Sequence, residues 1–71
     1  MSQESFQLQS EFIPLIGLLK ALGWASTGGE AGMMVQEGFV QVNGELELRK
    51  RRKLKSGDRV ECSGNTVLLE R

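Results

Sequence analysis

The stretch FVQVNGELEL, residues 39–48, constrains the fold more tightly than any other part of the chain. Apolar and polar residues alternate on either side of Asn43-Gly44, a dipeptide suited to the type I′ turn of a two-stranded hairpin. Val40 and Val42 are expected to point one way, Leu46 and Leu48 to resume the apolar face beyond the turn, and Glu45 and Glu47 to face water. That alternation cannot run on. Continued past Leu48 it would carry Lys50 and Arg52 into the core beside Leu54, which desolvation forbids without partners. The regular strand must end near residue 48, and the residues after it must swing outward.

Those residues are the second constraint. Arg49, Lys50, Arg51, Arg52, Lys53 and Lys55 place six cations in seven consecutive positions of a chain with formal net charge zero. Residues 1–48 carry a balance of minus five and residues 56–71 one of minus one, so neutrality hides a dipolar molecule. At physiological salt, charges more than about 8 Å away are largely screened, and a partner at the run would feel mainly the cations. Close like charges repel in the folded state, and a cluster this dense points to a bound anion. If extended, residues 49, 51, 53 and 55 would share one side as a ribbon able to track a phosphate backbone. Arginine offers bidentate planar contacts to phosphate and lysine a point charge. Such contacts position a nucleic acid without reading its bases.

Upstream, Phe6 and Leu8 alternate with polar neighbours and fit a short edge strand over residues 5–9. Phe12, Leu15 or Ile16, Leu19 and Leu22 then recur at helical spacing, predicting a first helix over about 12–22, with Pro14 in its first turn and Gly23 at its end. A second helix begins at Thr27, whose spacing to Glu30 makes a capping box. Ala31, Met34, Val35 and Gly38 share its inner face, and Gly29, Gly32, Met33 and Gln36 form an outer face nearly bare of side chains. The N–H groups of Gly28 and Gly29 could take a phosphate, but Glu30 competes for them, so the cap alone is the better reading. Trp24 is expected to cap the core. Beyond the basic run, Lys55-Ser56-Gly57-Asp58 reads as a turn and RVECS as a strand with Val60 and Cys62 inward. Gly64-Asn65 reads as a second turn and TVLLE as the last strand.

With 71 residues the chain is expected to form one domain, 1–71, with a modest core. Its start shows no basic-then-apolar secretory pattern. A lone cysteine, Cys62, points to a reducing compartment, with the cytoplasm the expected location. The absence of histidine removes histidine-based acid–base chemistry, and with one cysteine it argues against a zinc site. Glu45 and Glu47 have no sign of a pocket and are assigned no catalysis. No cofactor or metal is expected.

Two short helices, then EGFVQVNGELE, then a basic run closing on LKSGDRVE, resemble the S-four type RNA-binding domain, in particular its small stand-alone bacterial members. The resemblance spans about residues 12–63; G-x-V-x-V-N-G followed by G-D-x-V carries it, and GGEA strengthens it. It implies an α+β fold, an alpha-L motif with two N-terminal helices packed on a small twisted, mostly antiparallel sheet. It also implies that RNA is held against the second helix and the loop joining the strands. Carried over by position, Thr27, Gly28 and Gly32 fall on the helix face, Gln41 and Asn43 on the hairpin approach, and Arg49 to Lys53 in the basic loop. Many members place Arg or Lys near the start of that helix and a turn later, where this chain has Gly28, Gly29 and Gly32. The electrostatic work would then fall on residues 49–55, together with Lys20.

The expected function is a non-catalytic module for structured RNA, such as ribosomal or transfer RNA, acting at most as an adaptor in an enzymatic process. The competing expectation is a protein-interaction adaptor docking its basic loop on an acidic protein surface. Membrane-surface binding lacks an amphipathic basic helix or a lipidation signal.

Overall fold

The computed structural model describes residues 2–71. Seven strands and two helices follow in the order β1 (Ser2–Gln7), β2 (Ile13–Pro14), α1 (Leu15–Ala21), α2 (Gly28–Gln36), β3 (Val40–Val42), β4 (Glu45–Leu46), β5 (Lys53–Leu54), β6 (Arg59–Cys62) and β7 (Asn65–Glu70). The larger sheet has the strand order β1-β7-β6-β3-β4; β1 runs parallel to β7 and the remaining neighbours are antiparallel. A second, two-stranded sheet pairs β2 with β5, Ile13 opposite Leu54 and Pro14 opposite Lys53. The helix pair packs on one face of the larger sheet, as an α+β fold of this kind requires. Leu15, Leu18 and Leu19 of α1 and Ala31 and Val35 of α2 join Val40, Val42, Val60, Cys62, Val67 and Leu69 in one buried cluster. Each fully buried Leu or Val contributes about 1.5–3 kcal/mol of transfer free energy, so a core this size leaves little reserve.

The first helix begins three residues later than its periodicity suggests. Residues preceding proline are biased toward extended backbone, and Ile13 obeys by pairing with Leu54. Pro14, at φ −65° and ψ 145°, becomes the N-cap without a side-chain cap. Phe12 is consequently outside the helix and 41% exposed. Both helices end on a left-handed glycine: Gly23 (φ 78°) and Gly38 (φ 84°). After each, the next N–H reaches back to the carbonyl five residues earlier, Trp24 to Leu19 and Phe39 to Met34, at 3.1 Å in both cases.

At the start of α2, Thr27 Oγ1 accepts the Glu30 N–H at 3.0 Å, while the Glu30 carboxylate accepts from Ser26 N rather than from Thr27 N. The reciprocal cap is therefore displaced by one residue at its return bond. Thr27→Ala removes the forward bond and is expected to cost about 1 kcal/mol. Thermal unfolding followed by far-UV circular dichroism should show a midpoint about 4–8 °C lower.

The Asn43-Gly44 turn forms as expected, with φ 53° and 85°. Its register overturns the side-chain assignment beyond it. A two-residue turn sets Val42 opposite Glu45 and Gln41 opposite Leu46, and the Glu47 N–H donates to the Val40 carbonyl at 3.0 Å. Residues directly opposite share a face. Glu47 therefore follows the buried valines and is 5% exposed, whereas Leu46 and Leu48 are 57% and 54% exposed. Glu45 is exposed as expected. The final turn is also one residue earlier than its sequence suggested: Ser63 (φ 52°) and Gly64 (φ 85°) are its centre, with Cys62 paired to Asn65.

Candidate nucleic-acid interface

The basic run is a turn and not a ribbon. The strand ends at Leu46, the Arg52 N–H returns to the Arg49 carbonyl at 3.3 Å, and Lys50 and Arg51 occupy the tip between them. Extended pairing resumes only at Lys53–Leu54. Geometry of this kind concentrates charge at one place instead of spreading it along a track.

Three contacts hold the turn. The first is Glu47, the acidic residue that the hairpin register buries. Its carboxylate accepts from Arg49 N at 2.8 Å, from Arg49 Nε at 3.0 Å and Nη2 at 3.1 Å, and from Arg52 Nη1 at 2.7 Å. Two guanidinium groups are thereby fixed on one carboxylate, one of them by a bidentate fork. Together, the Arg49 hydrogen bonds first and the Arg52 hydrogen bond after them, opposed by burial, which raises it, bring the Glu47 pKa from 4.5 down to about 2. The same contact raises the pKa of Arg49.

The second contact explains the missing cap of α1. A helix start leaves N–H groups without intrahelical partners. Here the Leu15 N–H donates to the Arg52 carbonyl at 2.9 Å and the Ile16 N–H to the Lys50 carbonyl at 3.1 Å. The turn caps the helix, and the helix fixes the turn.

The third contact lies on α2. Gly32 is buried, not part of a bare outer face. A Cβ placed there would lie 3.1 Å from Cδ of Lys50 and 3.8 Å from its Nζ. The lysine stem therefore lies across the helix where a side chain is lacking, and its ammonium supplies a charge at the helix surface that no residue of α2 supplies there. Further along the same side, Gly28 lies beside Lys20, whose Cδ would be 3.9 Å from a Cβ at that position. Lys20 belongs to the last turn of α1. Lys20, Gly28, Gly32 and Lys50 thus follow one another along the helix pair.

Arg49, Arg51, Arg52 and Lys53 line an open hollow of about 520 Å³. The other sequence candidates lie apart from it. Thr27 caps α2. Lys55 belongs to the next turn, where its N–H donates to Asp58 Oδ2 at 2.8 Å. Asn43 ties that turn to the hairpin: Nδ2 donates to Asp58 Oδ1 at 3.0 Å and Oδ1 accepts from Arg59 N at 2.9 Å. Gln41 lies on the exposed side of β3, beside Phe39, Glu61 and Ser63 at a separate hollow of about 170 Å³. The structure adds two residues that the sequence reading passed over. Glu47 anchors the site, and Phe12 adjoins it, with Lys53 Nζ 4.9 Å from its ring centroid.

The described residues therefore define a class of protein: a small sheet with a helix pair on one face and a basic turn tied by hydrogen bonds to the hairpin glutamate and to the start of the first helix. The sequence pattern of the S4 domain matches residues 6–70, and the chain belongs to that family. It is 40% identical over 55 residues to YbcJ of Escherichia coli (strain K12), named as a candidate RNA-binding protein; the match spans 78% of this chain and 79% of the relative. YbcJ of Shigella flexneri matches equally, at 40% identity over the same shares of the two chains. The solution structure of E. coli YbcJ superposes with a TM-score of 0.73 at 35% identity, covering 94% of this chain and 86% of that one. It is described as revealing an alfaL motif involved in RNA-binding. Among the described residues no helix is long and apolar enough to cross a membrane.

Proposed function

We propose that this protein is a non-catalytic, cytoplasmic RNA-binding module that recognises structured RNA, of the ribosomal or transfer RNA kind, through phosphate contacts from the Arg49–Lys53 turn. The observation that carries the reading is the open hollow lined by four cations on a backbone tied to Glu47 and to the start of α1. A turn whose backbone is already tied down needs less ordering on binding, and it suits a partner whose phosphates are themselves fixed in space. Lys50, seated over Gly32, extends the positive surface toward the helix pair, and Lys20 beside Gly28 lies further along it. Membership of the S4 domain family and the RNA-binding description of YbcJ support the same reading.

The test is binding of a hairpin RNA, a single-stranded RNA and a duplex DNA across a salt series. Release of counterions lowers log affinity by roughly 0.7 to 0.9 per neutralised phosphate for each decade of salt, so about four contacts give a slope near −3. Preference for the hairpin RNA with that slope is the expected result. Weak binding to all three with a flat salt dependence overturns the reading. Retention of an acidic protein after RNase treatment of a pull-down would then assign the basic turn to protein docking.

A further inference from the structure

We propose that Phe12 is a stacking platform for one unpaired nucleobase at the edge of the basic hollow. The RNA taken there is then a helix interrupted by a bulged or looped-out nucleotide and not an uninterrupted duplex. This rests on the RNA-binding reading above and adds the class of RNA to it.

Phe12 does not serve the core. Its successor Ile13 packs against the buried cluster and Leu15 lies within it, whereas Phe12 belongs to neither group and is 41% exposed. The backbone that carries the ring is nonetheless held in place. Ser10 Oγ donates to the Phe12 carbonyl at 3.0 Å, and the next residue is locked into the pairing of β2 with β5. Lys53 is the partner of Pro14 in that pairing, which brings its ammonium over the Phe12 ring at 4.9 Å from the centroid.

Lys53 also lines the hollow with Arg49, Arg51 and Arg52. One side chain thus joins an aromatic surface to a cluster of phosphate-binding cations. These are the two components that proteins combine to hold unpaired nucleotides: cations for the backbone and an aromatic face on which any base can stack. The Lys53 ammonium lies over one face of the ring, and a stacked base would take the opposite face. A nucleotide whose base lies on Phe12 would carry its phosphate toward Lys53 and the arginines. In a continuous duplex every base is already stacked and the ring has no partner.

The experiment compares three RNAs: a blunt-ended two-strand duplex, the same duplex with a single bulged 2-aminopurine nucleotide, and the same duplex with an abasic nucleotide at the bulge. The wild-type protein should bind the 2-aminopurine RNA about 5- to 150-fold more tightly than the abasic RNA, given the worth of base–aromatic stacking. The 2-aminopurine fluorescence should be quenched on binding. Phe12→Leu should reduce affinity for the 2-aminopurine RNA to the abasic level and abolish the quenching, and the two changes should not add, because they remove the same contact. Equal wild-type affinity for the bulged and abasic RNAs, with unchanged fluorescence, overturns the stacking site while the duplex titration still reports RNA binding. Failure to bind any of the three overturns both readings.

Discussion

Glu47→Gln is expected to lower the thermal midpoint by roughly 5–15 °C at pH 7, the largest stability loss from a single side chain outside the apolar core. The substitution keeps the shape but replaces one carboxylate oxygen by an amide nitrogen, which can only donate. It would face Arg49 and Arg52, which also only donate. A hydrogen bond to a charged group is worth up to about 3 kcal/mol, and solvent around the exposed Arg49 reduces the net loss here to about 1–2 kcal/mol. In a domain this small each kcal/mol moves the midpoint by about 4–8 °C.

The pH dependence fixes the sign. The carboxyl titrates at about 2 in the folded protein, against 4.5 as its ordinary value. A depressed folded value means that the stabilisation is complete above pH 4.5 and is lost as pH falls from there toward 2. The difference in midpoint between wild type and Glu47→Gln should therefore be constant from pH 7 to about 5 and close by pH 2. Thermal melts at several pH values check it. A difference that persists unchanged at pH 2 would mean that the shape of the side chain, and not its charge, holds the turn.

Much of this arrangement was legible in the sequence, and the misreadings have identifiable causes. The hairpin turn, both glycine helix ends and the Lys55–Asp58 turn are local, with their signals carried by residues next to one another. Burial of Glu47 is equally determined by the sequence, but across the turn and not along the chain. Once Asn43-Gly44 is a two-residue turn, Val42 faces Glu45 and Val40 faces Glu47, so the apolar face leads to the glutamates and not to Leu46 and Leu48. Counting across the turn places it on the buried face, whereas extending the apolar alternation along the chain points to Leu46 and Leu48. The start of α1 was hidden for a different reason. Its N–H groups are capped by carbonyls of Lys50 and Arg52, more than thirty residues away, and nothing near Pro14 encodes them. Gly32 was likewise read as bare because the side chain that covers it comes from the basic turn.

The same geometry divides the cations into two groups, and exchanging them should separate RNA affinity from stability. Arg49 commits its Nε and Nη2 donors, and Arg52 its Nη1 donor, to Glu47. Arg51 occupies the tip of the turn, and Lys53 stands at the start of β5 with its ammonium over Phe12. The double variant Arg51→Gln with Lys53→Gln is expected to reduce the magnitude of the salt slope by about two. It should weaken hairpin-RNA binding at physiological salt by roughly 10- to 50-fold, because two phosphate contacts are lost while the turn keeps its anchor. Its melting midpoint should stay within a few degrees of wild type, since these substitutions leave the Glu47 contacts intact. Arg49→Gln should behave in the opposite way, with a lower midpoint and a slope altered by less than one. Binding isotherms at four or more salt concentrations, paired with melts of the same samples, measure both quantities. If Arg49→Gln flattens the slope as much as loss of Arg51 does, the Glu47 pair opens when RNA binds, and the arginine exchanges a carboxylate for a phosphate. The turn would then be rearranged by its ligand instead of being built in advance for it.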